Sequence, residues 1–248
     1  MDLFAFPPVA AILNLAYSAL LGLTSLLQPL AGASAAAAAV VLVTLLVRAA
    51  LIPVGVSQAR AEQTRARLAP KLRELQKRYR KDPERLQRET LKLYRDENTS
   101  PFAGLLPILA QAPVVGVLYA VFLHARIDGG ANALLDHTLL GVPLGSSLAG
   151  SLASGAVDAS TWMVFGALVL LIAAVGELTR RVFRITVAPV EGAPRVPTGL
   201  LGLMQFVTAV VAVFVPLAAG LYLAVTVSWT LVQRIILRRR YPLPAAEG

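Results

Sequence analysis

The chain of 248 residues is 56% hydrophobic and only 15% charged, whereas about a quarter of the residues in a soluble domain are charged. Its net charge of +9 does not indicate nucleic-acid binding, because the basic residues are grouped by segment and do not form one face with interleaved aromatics. Since the chain has no cysteine, disulfides, thiolate metal ligands and a thiol nucleophile are excluded. The composition predicts an all-α, polytopic membrane protein.

The N-terminal segment, residues 9–28, is apolar but carries four polar side chains at helical spacing. They are Asn14, Ser18, Ser25 and Gln28. Leucines occupy the other faces, and this pattern favours a helix that lies in the outer interface of the membrane. Residues 1–34 are therefore assigned to an outer interfacial element. A sixth span and a cleaved signal sequence stay open as alternatives, although no Lys or Arg precedes the segment as in a signal sequence.

Four further stretches are long and apolar enough to cross a bilayer, which takes about 20 residues per helix. They are residues 35–56, 102–123, 161–176 and 199–232. The last stretch is too long for one helix, and Pro216 divides it into 199–215 and 217–232, because proline ends or kinks a helix. The sequence therefore predicts five transmembrane helices.

The distribution of Lys and Arg tests this count through the positive-inside rule. Thirteen basic residues lie between 57 and 98, four follow the third span, and four follow the last span. The segment before residue 35 has none, and the 125–160 loop has only Arg126. Five spans with the N-terminus outside and the C-terminus in the cytoplasm place every dense basic cluster in the cytoplasm. The predicted location is the plasma (inner, cytoplasmic) membrane, with a short cytoplasmic tail at 239–248.

Residues 58–98 differ from the apolar spans, because they are strongly charged. Apolar side chains recur within them at helical spacing. The repeat consists of Leu68, Leu72, Leu75 and Tyr79, then Leu86, Leu93 and Tyr94. Asp82 followed by Pro83 predicts the start of a second helix, with Asp82 as its N-cap. The segment is predicted to be a cytoplasmic helical hairpin. It is either a solvated connector or a docking element for a ribosome, a targeting factor, anionic lipid or an arriving polypeptide.

In this order, the features resemble the YidC family of membrane insertases, with their mitochondrial oxidase-assembly and chloroplast relatives. The resemblance covers about residues 35–238. It rests on "TLLVR" (44–48) followed by Pro53, "LAPKLRELQKRY" (68–79), "SPFAGLLPILAQAPVVGVLYAVF" (100–122) and "FVPLAAGLYLAVTVSWTLVQ" (214–233). It implies a core of five helices around a hydrophilic groove that is open to the cytoplasm and the lipid. It also implies a basic residue of the first span inside that groove, and Arg48 occupies the matching position.

The chemistry of Arg48 agrees with that position. It lies eight residues from the inner end of the 35–56 span, about 12 Å along a helix. An arginine at depth costs about 2.5–3.5 kcal/mol on insertion scales unless it meets water or a partner. The spans contain no acidic residue except Glu177, at the inner end of the third. Arg48 therefore predicts a water-containing cavity, and the alternative is a snorkelling arginine that only sets orientation.

Polar side chains on several spans are candidates to line this cavity with Arg48. They are Thr44, one turn before Arg48, Gln111 in the second span, Gln205 in the fourth, and Tyr222 and Thr226 in the fifth. For each residue alone, a hydrogen bond between helices is the alternative. Thr44 and Gln111 also match the family pattern.

The resemblance implies an insertase and chaperone that has no cofactor and is not an enzyme. Such a protein moves short hydrophilic tails of nascent membrane proteins through the groove and releases their hydrophobic helices into lipid. The implied partners are nascent membrane proteins, the lipid bilayer, a ribosome or targeting factor, and a Sec-type channel, with no DNA. The alternative is a small-solute or ion transporter that uses Arg48, although such proteins normally contain internal repeats and none is found here.

Catalytic and metal sites are not expected. An intramembrane enzyme would need clustered Asp, Glu, His or an activated Ser within the spans, and the sequence has none of these clusters there. The two histidines, His124 and His137, lie thirteen residues apart and lack the spacing of metal ligands on one helix face.

Overall fold

The computed structural model describes residues 7–100, 106–127, 130–183, 203 and 206–242. The predicted starts of the second and fourth spans lie partly outside these residues, as do the basic residues Arg184 and Arg195 and most of the tail. By length and composition, three described stretches can cross a membrane: Pro7–Ala50, Ala159–Val182 and Leu217–Arg240. The chain is thus a helical membrane protein, and the count of five spans stays a prediction.

The chain begins with helix α1, Pro7–Ala31. Gly32, with a φ of +53°, follows α1, because glycine adopts the left-handed conformation that ends helices without a steric penalty. A single 3-10 turn, Gly32–Ser34, leads into α2, Ala35–Ala50. Five consecutive alanines open α2 and are buried or nearly so.

The predicted first span is broken, which corrects the expectation of one helix over 35–56. Helix α2 ends at Ala50, and α3, Ile52–Arg78, begins after Leu51. Pro53 is the cause, because its ring excludes the carbonyl of the preceding turn and it has no N–H to continue the helix. Proline is tolerated in the first turn of α3, where no N–H is needed.

The second half of the charged segment forms α4, Pro83–Asp96. The predicted N-cap is confirmed, because the Asp82 carboxylate accepts a 2.9 Å hydrogen bond from the Arg85 N–H, and Pro83 occupies the first turn. Helices α3 and α4 contact each other. Helix α5 follows at Leu106–Leu123.

The segment between α5 and the next long helix is more ordered than the loop predicted from sequence. Strand β1, Arg126–Ile127, pairs with β2, Gly130–Ala131, and β3, Thr138–Leu139, pairs with β4, Val142–Pro143. Both pairs are antiparallel. A 3-10 turn, Ala133–Asp136, lies between the two hairpins, and the short helix α6, Leu148–Ala153, follows them.

Three helices complete the described chain: α7, Ala159–Val182, α8, Val207–Phe214, and α9, Leu217–Arg240. Asp158 caps α7 by accepting from the Thr161 N–H at 2.8 Å. The Asp158 carboxylate also accepts hydrogen bonds from the Thr161 and Ser160 hydroxyls. Together these bonds, above all the one from the Thr161 hydroxyl, lower the pKa of Asp158 to about 2. The predicted division at Pro216 is confirmed, because α8 ends and α9 begins on either side of it.

The described chain forms two compact units. The first contains the residues up to Ala49 and those of Val114–Leu231, and the second contains Ala50–Pro113 and the residues from Val232 onward. The core of the first unit is built from α1, α2, α5, α7, α8, α9 and the β-hairpins. Its largest fully buried side chains include Phe122, Phe165 and Leu20.

Candidate functional site

Arg48 lies near the end of α2, in the first unit. Its side chain is half-buried. With the residues that the structure describes, it makes no hydrogen bond, ion pair or ring contact. The guanidinium group carries five N–H donors and no acceptor. Arg48 is therefore a fixed positive charge on an apolar helix with donors available to a ligand.

Thr44 lies one turn before Arg48 and is only 1% exposed. Its hydroxyl donates a 2.7 Å hydrogen bond to the Val40 carbonyl, the bond that threonine commonly makes to the preceding turn of its own helix. This bond uses the hydroxyl hydrogen, so Thr44 can only accept a hydrogen bond from a further group.

Tyr222 of α9 packs against two aromatic side chains of α5. It is 3% exposed, and its ring centroid lies 6.3 Å from that of Tyr119 and 6.0 Å from that of Phe122. Tilted pairs at this distance are favourable. The Tyr222 hydroxyl and the Thr226 hydroxyl, one turn further along α9, are both buried with no hydrogen-bond partner among the described residues.

Two predicted site residues lie wholly or partly outside what the structure describes. Gln111 falls within α5, but its side chain lies outside what the structure describes, and Gln205 lies outside the described residues altogether. The structure thus brings Tyr222 of α9 together with α5, and it places Thr44 and Arg48, four residues apart, on one face of α2.

An apolar pocket of about 490 Å³ lies between α2, β3 and α9. It is lined by Ser34, Ala37, Ala38, Val41, Leu42, Leu45, Leu139 and Leu221. Thr44 and Tyr222 are therefore each next in sequence to a residue that lines this pocket, Leu45 and Leu221 respectively.

Asn132, which the sequence analysis did not predict as a structural residue, hydrogen-bonds to the C-terminal end of α5. It is 2% exposed, and its side-chain amide donates to the Val121 carbonyl at 2.8 Å and to the His124 carbonyl at 2.9 Å. Its side-chain oxygen accepts from the Leu134 N–H. These bonds satisfy carbonyls that a helix end leaves without partners. The residue type gave no signal, because an asparagine two residues after Gly130 also fits an exposed turn.

The second unit carries most of the charge. Glu97 pairs with Arg67 at 3.0 Å and with Lys71. These cations, above all the hydrogen bond from Lys71, lower the pKa of Glu97. Other basic residues of α3 and of the turn after it form no ion pair or hydrogen bond within the described chain. They include Arg73, Lys77, Arg80 and Lys81.

The last turns of α9 contact the first turns of α3 within this unit. Glu62 lies 3.3 Å from Arg238 and 3.8 Å from Arg234. The Arg60 guanidinium donates to the Tyr241 hydroxyl at 3.2 Å and lies over the ring of the same tyrosine. The residues in this contact are about 180 positions apart in the sequence, so no local pattern could have indicated them.

Side chains for a metal are not assembled in the described part of the chain, where no three His, Asp or Glu residues come together.

Comparison with known proteins places most of the chain in one family. The sequence model of the family described as 60Kd inner membrane protein matches residues 27–244. The match begins near the end of α1.

Several curated relatives are named membrane protein insertase YidC. The protein of that name from Streptomyces avermitilis is 27% identical over 227 residues, which cover 84% of this chain and 52% of the relative. The one from Clostridium perfringens is 34% identical over 115 residues, or 46% of this chain and 48% of the relative. The chain thus spans about half the length of the curated relatives it matches.

Proposed function

Because the chain belongs to the 60Kd inner membrane protein family, we propose that it is a membrane protein insertase. It moves the short hydrophilic tails of nascent membrane proteins through a hydrated groove inside the membrane and releases their hydrophobic helices into lipid. The relatives named membrane protein insertase support this proposal.

Arg48 is the single observation that carries the mechanism. It is a half-buried positive charge on an apolar helix, without a counter-charge among the described residues. Such a charge is costly in hydrocarbon and is retained where water or a ligand stabilises it. An acidic tail of a client protein supplies carboxylates, which guanidinium groups bind with strong, charge-assisted hydrogen bonds.

The remaining groove residues are proposed to keep the tail hydrated. The buried hydroxyls of Tyr222 and Thr226 lack partners among the described residues, and a buried polar group without a partner costs about 1–3 kcal/mol. Water or the polar backbone of a passing tail would remove that cost. Thr44 would accept a hydrogen bond there, and Gln111 and Gln205 would supply amides.

Release into lipid needs no nucleotide. Side chains exposed on α2 and α7 offer a client helix an apolar path, among them Leu45, Leu46, Leu170 and Leu171. Each Å² of apolar surface that leaves water contributes roughly 25 cal/mol. Partition of the client's hydrophobic segment therefore drives the step.

The proposed topology has five spans, with the N-terminus outside and the C-terminus in the cytoplasm, and α1 in the outer interface. The α3–α4 pair would then project into the cytoplasm. Its basic residues without ion pairs, such as Lys77 and Arg80, would attract a ribosome, a targeting factor, anionic lipid or an arriving polypeptide through long-range electrostatics. A Sec-type channel is a further proposed partner.

The test is an insertion assay with the variants Arg48→Lys, Arg48→Ala and Arg48→Glu. Each variant receives two clients that differ only in the charge of the translocated tail, one acidic and one neutral. Arg48→Lys should retain much of the activity, because an ammonium still attracts carboxylates. Arg48→Ala should lose insertion chiefly of the acidic client, and Arg48→Glu should lose more.

Protein abundance is the control, since the charge is a cost to the folded state and its removal should leave the level of the protein near normal. Equal loss for both clients would reject electrostatic capture. Loss that follows reduced abundance would instead favour an arginine that only sets orientation. Unchanged insertion of both clients by Arg48→Glu would reject the proposed function of this site.

A further inference from the structure

A leucine occupies the tip of the second β-hairpin, where it is unusual in two ways. Leu140 and Gly141 form the two-residue turn between β3 and β4, and their φ values are +51° and +87°. A turn with both φ values positive is normally built from Asn-Gly, because a bulky side chain is strained there. Leu140 is nevertheless 61% exposed, so packing inside the protein does not explain its presence.

The position of the hairpin is fixed by the first residues of three apolar helices. Strand β3 contacts the Gly32–Ser34 turn at the start of α2. A Cβ at Gly141 would lie 3.9 Å from the Ser160 hydroxyl at the start of α7. The first N–H groups of α9, those of Leu217 and Ala218, donate to the carbonyls of Ser146 and Leu144 just after β4. The tip therefore lies at the level where α2, α7 and α9 begin.

Other exposed apolar side chains lie at the same level. Trp162, in the first turn of α7, is 55% exposed, and tryptophan is enriched where membrane helices meet the interface. The chain neighbour of the tip, Leu139, lines the apolar pocket together with Leu42 and Leu45 of α2. The exposed tip thus lies next to an apolar pocket that side chains of α2 line.

We propose that Leu140 inserts into the hydrocarbon at the membrane face where α2, α7 and α9 begin, and so anchors the β3–β4 hairpin in the lipid. A protein partner is the less suitable occupant, because a stable protein interface buries about 1,200–2,000 Å² and this surface offers one leucine and its close neighbours. Lipid needs no such area, since each buried methylene contributes separately. This inference is independent of the insertase activity, since it concerns only depth in the membrane.

The absence of cysteine from the sequence makes a depth measurement direct. Leu140→Cys is labelled with an environment-sensitive fluorophore, and the purified full chain is placed in vesicles of phosphatidylethanolamine and phosphatidylglycerol with or without brominated acyl chains. Asp136→Cys, an exposed position of the preceding turn, is the aqueous control. Leu170→Cys, an exposed position in the middle of α7, is the control within hydrocarbon.

The label at position 140 should shift to shorter wavelength and lose most of its emission to the brominated lipid, as the label at 170 does, while iodide in the buffer has little effect. The label at 136 should show the reverse. A label at 140 that is quenched by iodide and not by brominated lipid would place the tip in water and overturn the proposal. Leu140 is exposed, so its replacement leaves the fold intact, and a failed readout at 140 would not affect the insertion assay.

Discussion

Each of the two compact units of the chain is stabilised internally by a different kind of interaction. In the unit that contains Arg48, small side chains let apolar helices approach closely, and buried hydrogen bonds satisfy helix ends, as Asn132 does for α5. In the unit that contains α3 and α4, Leu68 is fully buried, but ion pairs and hydrogen bonds between partly exposed side chains also connect distant parts of the chain, such as Glu62 with Arg238 and Glu97 with Arg67.

The difference has a physical consequence. Dense packing and buried hydrogen bonds are sensitive to the shape of single side chains, because the interior relaxes only in part. Exposed ion pairs contribute little each and are screened by salt. The first unit should therefore hold the proposed groove residues in fixed positions, whereas the second should yield to changes in pH and ionic strength.

The largest effect is expected where α9 meets α7. A Cβ at Gly220 would lie 2.7 Å from Cδ2 of Leu168, which is closer than real contacts allow. The Cδ2 methyl is the end of a side chain and can shift, and alanine is favoured over glycine in a helix by about 1 kcal/mol, so Gly220→Ala should destabilise the protein by at most about 1 kcal/mol. Gly220→Leu adds a whole side chain at the same contact and should abolish the folded protein through overpacking. Thermal unfolding in detergent measures the first variant, and recovery of monodisperse protein measures the second.

The matched control lies on the helix that Gly220 approaches. Gly166 of α7 has no atom within 4 Å of the position that a Cβ would take, so Gly166→Ala should be neutral or stabilise by up to about 1 kcal/mol through helix propensity. Combining Gly220→Ala with Leu168→Ala should recover part of the loss, because the colliding methyl group is then absent. An equal effect of the two glycine variants would show that packing at this crossing does not distinguish the first unit.

A smaller but clear effect is expected at Asn132. Asn132→Leu keeps the approximate volume but removes the hydrogen bonds to Val121, His124 and Leu134. Each buried group that is left without a partner costs about 1–3 kcal/mol, so thermal unfolding in detergent should begin at a lower temperature. The control is Asn14→Leu on α1, a half-buried asparagine with no hydrogen-bond partner in the described part of the chain. A loss no larger than that of the control would contradict the role assigned to Asn132.

Local sequence patterns were enough to predict helix boundaries that a capping residue or a proline determines. The Asp82–Pro83 pair indicated the N-cap of α4, and Pro216 indicated the division between α8 and α9, because capping and proline act within a few residues. Pro53 carries the same kind of signal, although the apolar run 35–56 around it predicts one continuous span. The structure places the helix break two residues before it.

Contacts between distant parts of the chain could not be predicted in this way. The pairing of Glu62 with Arg234 and Arg238 depends on how α3 and the end of α9 lie together, and many exposed Glu and Arg residues offer the same charges. The candidate site also has a part that the sequence indicates and a part that it does not. Arg48 was indicated by its chemical cost in an apolar run, whereas the packing of Tyr222 against Tyr119 and Phe122 required the fold.

The smallest effect is expected in the second unit, at Glu97. Its pKa in the folded protein lies below the ordinary value of 4.5, chiefly because Lys71 donates a hydrogen bond to the carboxylate, with further help from Arg67. A lowered pKa means that the ionised form stabilises the contact above pH 4.5 and that this contribution disappears as the pH falls through the lowered value. Glu97→Gln should remove this pH dependence, because glutamine does not ionise.

Amide hydrogen exchange in α3 and α4 measures the change, from neutral pH down through pH 4.5 and with and without added salt. The control is Glu89→Gln, which removes a carboxylate that has no ion pair among the described residues. Exchange in α7 should be the same for both variants, since the ion pair lies wholly within the second unit. If Glu97→Gln instead increased exchange in α7 as strongly as Gly220→Ala, the two units would share one cooperative structure and the contrast between packing and ion pairs would fail.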